Sequence, residues 1–268
     1  MEVRAKKALG QHFLTDQSIA KAIVDALDTD GMDLPAETLE VGPGMGVLTR
    51  YLLERKDVSL RLVEIDSESV EYLMTHFQGL QGRLMEADFL KMDLGAIFPG
   101  KFLVIGNFPY NISSQIFFRI LDHRDRIPEV VCMIQKEVAE RIAEKPGTKT
   151  YGILSVLLQA WYDIEYLFTV GSGAFAPPPK VQSAVIRLRR NPRTDLGCDP
   201  ALFKEIVKMS FNQRRKTLRN SLRQMCARFP AVDCSDPVFD LRPERLGVED
   251  FIDLTKRFQN SRNADGSL

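Results

Sequence analysis

The sequence predicts an α/β fold, a largely parallel sheet covered by helices on both faces, with a smaller all-helical domain after it. Three observations predict this. Short apolar strands alternate with amphipathic helices from Asp16 to about Lys136. Two strand-like segments then follow, joined by a loop too short for a parallel crossover that carries a helix. Beyond Pro192 every periodic segment is helical. With 268 residues, 44% hydrophobic and 27% charged, the chain is long enough for one large domain and an appendage.

Taken in order, Asp16 is placed to cap a helix whose apolar positions Ile19, Ile23, Val24 and Leu27 recur at helical spacing. ETLEV reads as a short strand, and VLTRYLLE, after three glycines, as a helix. A strand at LRLVEI, a helix from Ser67 to about Phe77, a strand near RLMEA and a buried strand at FLVIG come next. Ser113 opens the helix SSQIFFRIL, EVVCMI is a strand, and another helix starts around Lys136. Asp163–Val170 and Ser183–Arg189 are strand-like and are expected to pair antiparallel at the end of the sheet. NPRTDLGCDP is a linker, with Pro192, Gly197 and Pro200 as breakers. The helices ALFKEIVKMSF, RKTLRNSLRQM and VEDFIDLTKRF follow. These divisions give a first domain over residues 1–191, a helical domain over 192–260 and a disordered tail over 261–268.

No apolar run approaches a membrane span, and the start MEVRAKKALGQHFL lacks the apolar core of a signal peptide, so a cytoplasmic protein is expected. The four cysteines, Cys132, Cys198, Cys226 and Cys234, show neither C-x-x-C pairing nor nearby histidines at ligand spacing. Reduced structural thiols and no metal are the expectation. Net charge is zero, yet between Lys180 and Arg228 there are thirteen Lys or Arg against three Asp or Glu, a balance of +10 that leaves −10 for the rest. Such a separation points to a polyanionic partner.

The candidate chemistry lies at strand ends. LEVGPGMGVLT carries Gly42, Gly44 and Gly46 between a strand and a helix, where glycine lets the backbone turn sharply and approach a ligand. Val47 stands where a dinucleotide fingerprint would need its third glycine, which weakens a nicotinamide reading and leaves a simple tight turn as the alternative. About twenty residues on, LRLVEID ends in Glu64 and Asp66, and a carboxylate there can accept both hydroxyl hydrogens of a ribose. Asp88, after the third strand, is placed for an adenine amine. Singly, each acid is as well read as a solvated loop residue or a cap; together they describe a nucleoside pocket along one sheet edge. Asn107, Phe108, Pro109 and Tyr110 end the fourth strand on that edge. The Asn107 amide oxygen and the Phe108 carbonyl, held extended by Pro109, offer two neutral acceptors to an exocyclic amine. Tyr110 offers a flat surface for a base taken out of its stack. A turn with a buried tyrosine is the plain alternative. Lys136 with Glu137, and Met209, Phe211, Leu218, Leu222, His76 and His123, take structural readings.

The ordered segments KKALGQHFLTDQSI, LEVGPGMGVLT, VEID, EADFL, NFPYNISS, MIQKEVAERI, YGILSV, AFAPPPKVQSAVIRL and FNQRRKTLRNSL resemble those of the KsgA/RsmA family of ribosomal RNA adenine dimethyltransferases, from about Lys6 to Leu246. The resemblance implies a Rossmann-like class I methyltransferase sheet that binds S-adenosylmethionine, followed by an RNA-binding helical domain. It implies N6,N6-dimethylation of two adjacent adenosines near the 3′ end of 16S rRNA, within the immature small subunit, by an enzyme expected to be a monomer. By position it carries cofactor binding to His12, Leu14, Gly42, Gly44, Glu64, Asp88 and Asn107. It carries amine binding to Asn107, Phe108, Pro109 and Tyr110, and base holding to Phe175. Where the family usually has Asn and Leu, this chain has His12 and Phe108. His12 is expected to donate to the cofactor carboxylate, and Phe108 to act through its carbonyl. Large-subunit rRNA, DNA adenine, or a non-catalytic role in subunit assembly are the alternatives; FNQRRKTLRNSL and the extent of the resemblance favour the small subunit. Within that segment Arg214, Arg215, Lys216, Arg219 and Arg223 are expected to grip phosphates, with Arg215, Arg219 and Arg223 four apart on one helical face.

Overall fold

The computed structural model describes Lys6, residues 9–213 and residues 215–264. Strand β1 (Phe13–Leu14) leads into α1 (Gln17–Asp25). Asp16 caps α1 as the sequence predicts, its carboxylate accepting the amides of Ser18 and Ile19 at 2.9 and 3.2 Å. Then β2 (Ala36–Val41), α2 (Val47–Glu54), β3 (Val58–Glu64), α3 (Ser67–His76), β4 (Leu84–Glu86), α4 (Leu94–Ile97) and β5 (Leu103–Asn107) alternate, followed by α5 (Ser113–Asp122), β6 (Glu129–Gln135) and α6 (Lys136–Ala143). Helix α7 (Ile153–Gln159) precedes β7 (Tyr162–Val170), the two-residue β8 (Phe175–Ala176) and β9 (Ser183–Arg190). The chain ends in α8 (Pro200–Asn212), α9 (Leu218–Ser221), α10 (Arg223–Arg228) and α11 (Val248–Ala264).

Seven strands form one sheet in the order β4-β3-β2-β5-β6-β9-β7. From β4 to β6 the pairs are parallel, whereas β9 runs antiparallel to β6. From β2 the chain first winds outward through β3 and β4, then returns to place β5 on the other side of β2. The loops after β2 and β5 therefore diverge, and a crevice opens at the carboxyl ends of these two strands. Ile23, Val24, Leu48, Leu62, Leu103 and Val185 belong to the buried core. The expected strands and helices of this region are all present. The β1–β8 ladder, which sets Leu14 opposite Phe175, was not expected, because two residues make no periodic pattern.

The chain divides into two compact units, one running up to Ala139 and resuming over Asp163–Arg190, the other taking Glu140–Tyr162 and everything from Asn191. The last crossing, at Arg190 and Asn191, lies beside Pro192; the other two fall on either side of α7. In the second unit α7, α8 and α11 pack on one another, and Tyr151, Phe211 and Phe251 form an aromatic file with centroids 6.3 and 5.9 Å apart.

Three expectations here are corrected. RKTLRNSLRQM is not one helix: Thr217 is extended, with ψ of 163°, and the Leu218 amide donates to the Leu241 carbonyl at 2.8 Å, so that helical bonding does not run through Thr217. Cys226 and Cys234 are joined in a disulfide, against the expectation of four thiols; the turn closed by Val232 N–H on the Phe229 carbonyl brings them together. Cys132 and Cys198 are free and buried. Finally α11 runs through Ala264, so helix replaces the start of the expected tail, whose last four residues lie outside those described.

Candidate active site

The crevice is an open cleft lined by His12, Leu14, Gly42, Gly44, Glu64, Asp88, Asn107, Phe108, Pro109 and Tyr110, among others. Every residue expected to bind cofactor or amine is thus brought together. Phe175 is not: its ring is 4% exposed and packed in the core, opposite Leu14. Holding a base would require it to leave that packing.

Gly44 shows why the loop after β2 needs glycine. Its φ is +55°, and a Cβ there would lie 3.0 Å from the Phe13 ring. Its amide donates to Glu64 Oε2 at 3.0 Å, while Glu64 Oε1 accepts the amides of Ile65 and Asp66 at 2.9 and 3.0 Å. Glu64 therefore does more than present an acceptor: it ties the glycine loop to the tip of β3. Burial raises its pKa above the ordinary carboxylate value, opposed by those three amides. Asp88 is less enclosed; it accepts the Leu90 amide at 3.0 Å and lies 3.5 Å from the Lys91 ammonium.

On the other lip, Gly106 lets β5 pass β2 closely, since a Cβ would come within 2.4 Å of the Val41 carbonyl oxygen. Asn107 Nδ2 donates to the His12 carbonyl at 3.1 Å. A carbonyl can only accept, so this contact fixes the amide with its NH₂ toward His12 and leaves Oδ1 as the acceptor. The Phe108 amide donates to the Met133 carbonyl at 3.0 Å and its ring is fully buried, edge-on to Phe117. Phe108 thus continues the ladder to β6, and replacing the usual leucine changes the packing beneath the site. The Tyr110 hydroxyl hydrogen-bonds Ser183, and burial raises the phenol pKa.

His12 is fixed through its ring. Its Nδ1 lies 3.0 Å from the Pro177 carbonyl and must donate to it. A neutral ring bound this way presents Nε2 as an acceptor, suited to an ammonium group; donation to a carboxylate would need a second proton.

Two features escaped the sequence reading. Glu40, 1% exposed, lines the cleft floor and accepts the Thr49 hydroxyl at 2.7 Å. Burial, reinforced by the Glu64 charge, pushes its pKa up to about 8. The available signal was an acid inside an otherwise apolar strand. The second feature is the N-terminal segment: Leu9, Gly10 and Gln11 line the cleft, and Lys6 is ion-paired with Asp66 and with Glu68, the latter at 3.0 Å. Hydrogen bonds from Lys6, Ser69 and Gln11 outweigh burial and hold the Asp66 pKa below its ordinary value.

The basic segment is less uniform than its composition. Arg187, Arg189, Arg190, Arg193, Arg219 and Arg228 are each ion-paired to an acid. Arg219 lies 2.7 Å from Asp240 and also donates to the Cys234 carbonyl, so it pins a loop. Arg215 precedes α9 and Arg223 opens α10; the single face shared by Arg215, Arg219 and Arg223 does not exist. Among the described residues, no ion pair holds Arg215, Lys216 or Arg223, and all three are exposed. Arg214 lies outside the described residues.

The sequence matches the profile of the ribosomal RNA adenine dimethylase family over residues 2–231. The chain belongs to that family. It is 60% identical over 256 residues to ribosomal RNA small subunit methyltransferase A of Parabacteroides distasonis, covering 94% of this chain and 93% of that one. It is 57% identical to the protein of the same name from Cytophaga hutchinsonii, covering 95% and 97%. A dimethyladenosine transferase from Plasmodium falciparum shares the fold, with a TM-score of 0.73 at 24% identity over 95% of this chain and 98% of that one. The 23S rRNA methyltransferase ErmE superposes with a TM-score of 0.58 at 26% identity, over 92% and 99%. Its architecture is accordingly that of a class I methyltransferase with a C-terminal helical region. Among the described residues, no acid, His or Cys cluster is arranged for a metal and no helix is long and apolar enough to cross a membrane.

Proposed function

We propose that this protein uses S-adenosylmethionine to dimethylate the N6 amines of two adjacent adenosines near the 3′ end of 16S rRNA, within the immature small subunit. The observation that carries the reading is the Asn107–Tyr110 lip, which lines the same cleft as the glycine loop and Glu64 and keeps Asn107 Oδ1 as an acceptor. The residues present suit the cofactor: a Cβ-free turn at Gly44 for close backbone approach, a buried carboxylate at the tip of β3 for ribose hydroxyls, and Asp88 for an adenine amine. His12 Nε2 would accept from the ammonium of its amino-acid part.

When bound, the cofactor supplies an electrophilic methyl on sulfur. The protein's share is to present the nucleophile. An adenine amine delocalises its lone pair into the ring; hydrogen bonds from both its N–H groups to Asn107 Oδ1 and the Phe108 carbonyl favour a pyramidal nitrogen with the pair free to attack. Tyr110 supports the extruded base. No strong general base is needed, since the methylated nitrogen is acidified and releases its proton afterwards. Arg215, Lys216 and Arg223 are assigned to rRNA phosphates. The test is methyl transfer from labelled S-adenosylmethionine to small subunits isolated from cells lacking the modification, mapped at nucleotide resolution. Two adjacent dimethylated adenosines near the 3′ end are expected. Label at other nucleotides of the small subunit, or no transfer, would overturn the assignment.

A further inference from the structure

We propose that Ser183 is a positioning residue for methyl transfer, its hydroxyl fixing the Tyr110 ring in the plane against which the target base stacks. The inference rests on the reading of Tyr110 as that platform. Ser183 opens β9 and is fully buried. It pairs with Gln135 on β6, while Asn107 pairs with Met133 on the same strand, so the two residues reach one sheet edge from strands on either side of β6. The preceding residue is pinned as well, because the Lys136 amide donates to the Gln182 carbonyl at 3.0 Å. Ser183 is therefore a fixed point.

The main chain of Tyr110 is anchored locally. Its carbonyl accepts the Ser113 hydroxyl at 3.3 Å, and the Ile112 amide closes the turn on Pro109 at 3.2 Å, yet neither bond restrains the ring about its side-chain torsions. Two contacts do so. The Ser183 hydroxyl holds the phenol tip, and the His12 imidazole lies against one face, centroids 5.5 Å apart and planes 29° apart. A buried hydroxyl requires a partner, so each of these two groups satisfies the other. With one face against His12 and the tip tied to a sheet strand, the ring has one orientation in which to receive a base. Ser183 itself does not line the cleft. Its effect should fall on the base, not on the cofactor.

The test is a double-mutant cycle of Ser183→Ala and Tyr110→Phe, which delete the same hydrogen bond from opposite ends, with Tyr110→Ala as a separate arm. Single-turnover transfer to unmodified small subunits is measured at saturating cofactor and substrate, together with cofactor affinity by calorimetry. Each single variant should be slower by about tenfold with parental cofactor affinity, and the double variant no slower than the worse single. A parental rate for Ser183→Ala, or losses that multiply in the double variant, would overturn the proposal. If Ser183→Ala does not fold, Tyr110→Phe decides alone, a parental rate again overturning it. A parental rate in Tyr110→Ala would remove the platform reading itself. A slow Tyr110→Ala beside a parental Ser183→Ala would remove only the positioning role.

Discussion

Glu40 and Glu64 are two carboxyls in one cleft with different tasks. Glu64 is held by three backbone amides, and its loss would free the glycine loop along with the ribose acceptor. Glu64→Ala should weaken S-adenosylmethionine binding by on the order of 1.5–3 kcal/mol, measured by calorimetry on the folded variant; unchanged affinity would remove Glu64 from the pocket. Glu40 has a single hydroxyl donor and is favoured neutral, its pKa near 8 in the folded protein. A raised folded-state value means that this contribution to stability is complete below the unfolded pKa and is lost as pH rises from there through about 8. Glutamine mimics the neutral form. Glu40→Gln should therefore match the parent in thermal unfolding near pH 4.5 and exceed it increasingly toward pH 8, by on the order of 2–4 kcal/mol. A gap that stays constant with pH would refute the buried-acid account. The residue types at the strand tips were legible in the sequence because each ends a recognisable strand. The bonding of His12 was not, since it depends on the Pro177 carbonyl, which is remote in sequence.

Elements with a strong local period were read directly. Asp16, the glycines after β2 and the apolar stripe of α1 each act within one turn of the chain. What failed had long-range causes: β1 exists only because β8 pairs with it, and the basic segment breaks because the Leu218 amide bonds to Leu241. That break redistributes the roles of the arginines. Arg215, Lys216 and Arg223 are exposed with no ion pair among the described residues, whereas Arg219 anchors Asp240 and the Cys234 carbonyl. Replacing Arg215, Lys216 and Arg223 with Gln should weaken small-subunit binding and flatten its salt dependence, by about 0.7–0.9 in the slope of log affinity against log salt for each phosphate no longer neutralised. Arg219→Gln should chiefly lower thermal stability and leave that slope nearly unchanged. Equal slopes in the parent and the triple variant would show that RNA is held elsewhere.

Over the whole molecule, zero net charge conceals a local excess of +10 between Lys180 and Arg228. The structure reduces what that excess can do. Six of its thirteen cations are arginines paired with acids of their own unit, so the segment's attraction for a polyanion rests mainly on the others. Sequence counting could not reveal this, because acids such as Asp28, Glu129 and Glu249 join the balance only after folding. If three phosphates neutralised by Arg215, Lys216 and Arg223 carry the electrostatic part of binding, affinity for the small subunit should fall roughly twenty- to forty-fold between 50 and 200 mM monovalent salt. Were all thirteen cations of the segment engaged, the loss would exceed about a hundred-thousandfold. Filter binding of unmodified small subunits across that salt range distinguishes the two cases. A loss beyond about ten-thousandfold, more than the seven cations outside those six ion pairs can supply, would mean that the ion pairs open on the ribosome and the arginines change partners. An affinity indifferent to salt would mean that the complex is held by surface other than these cations.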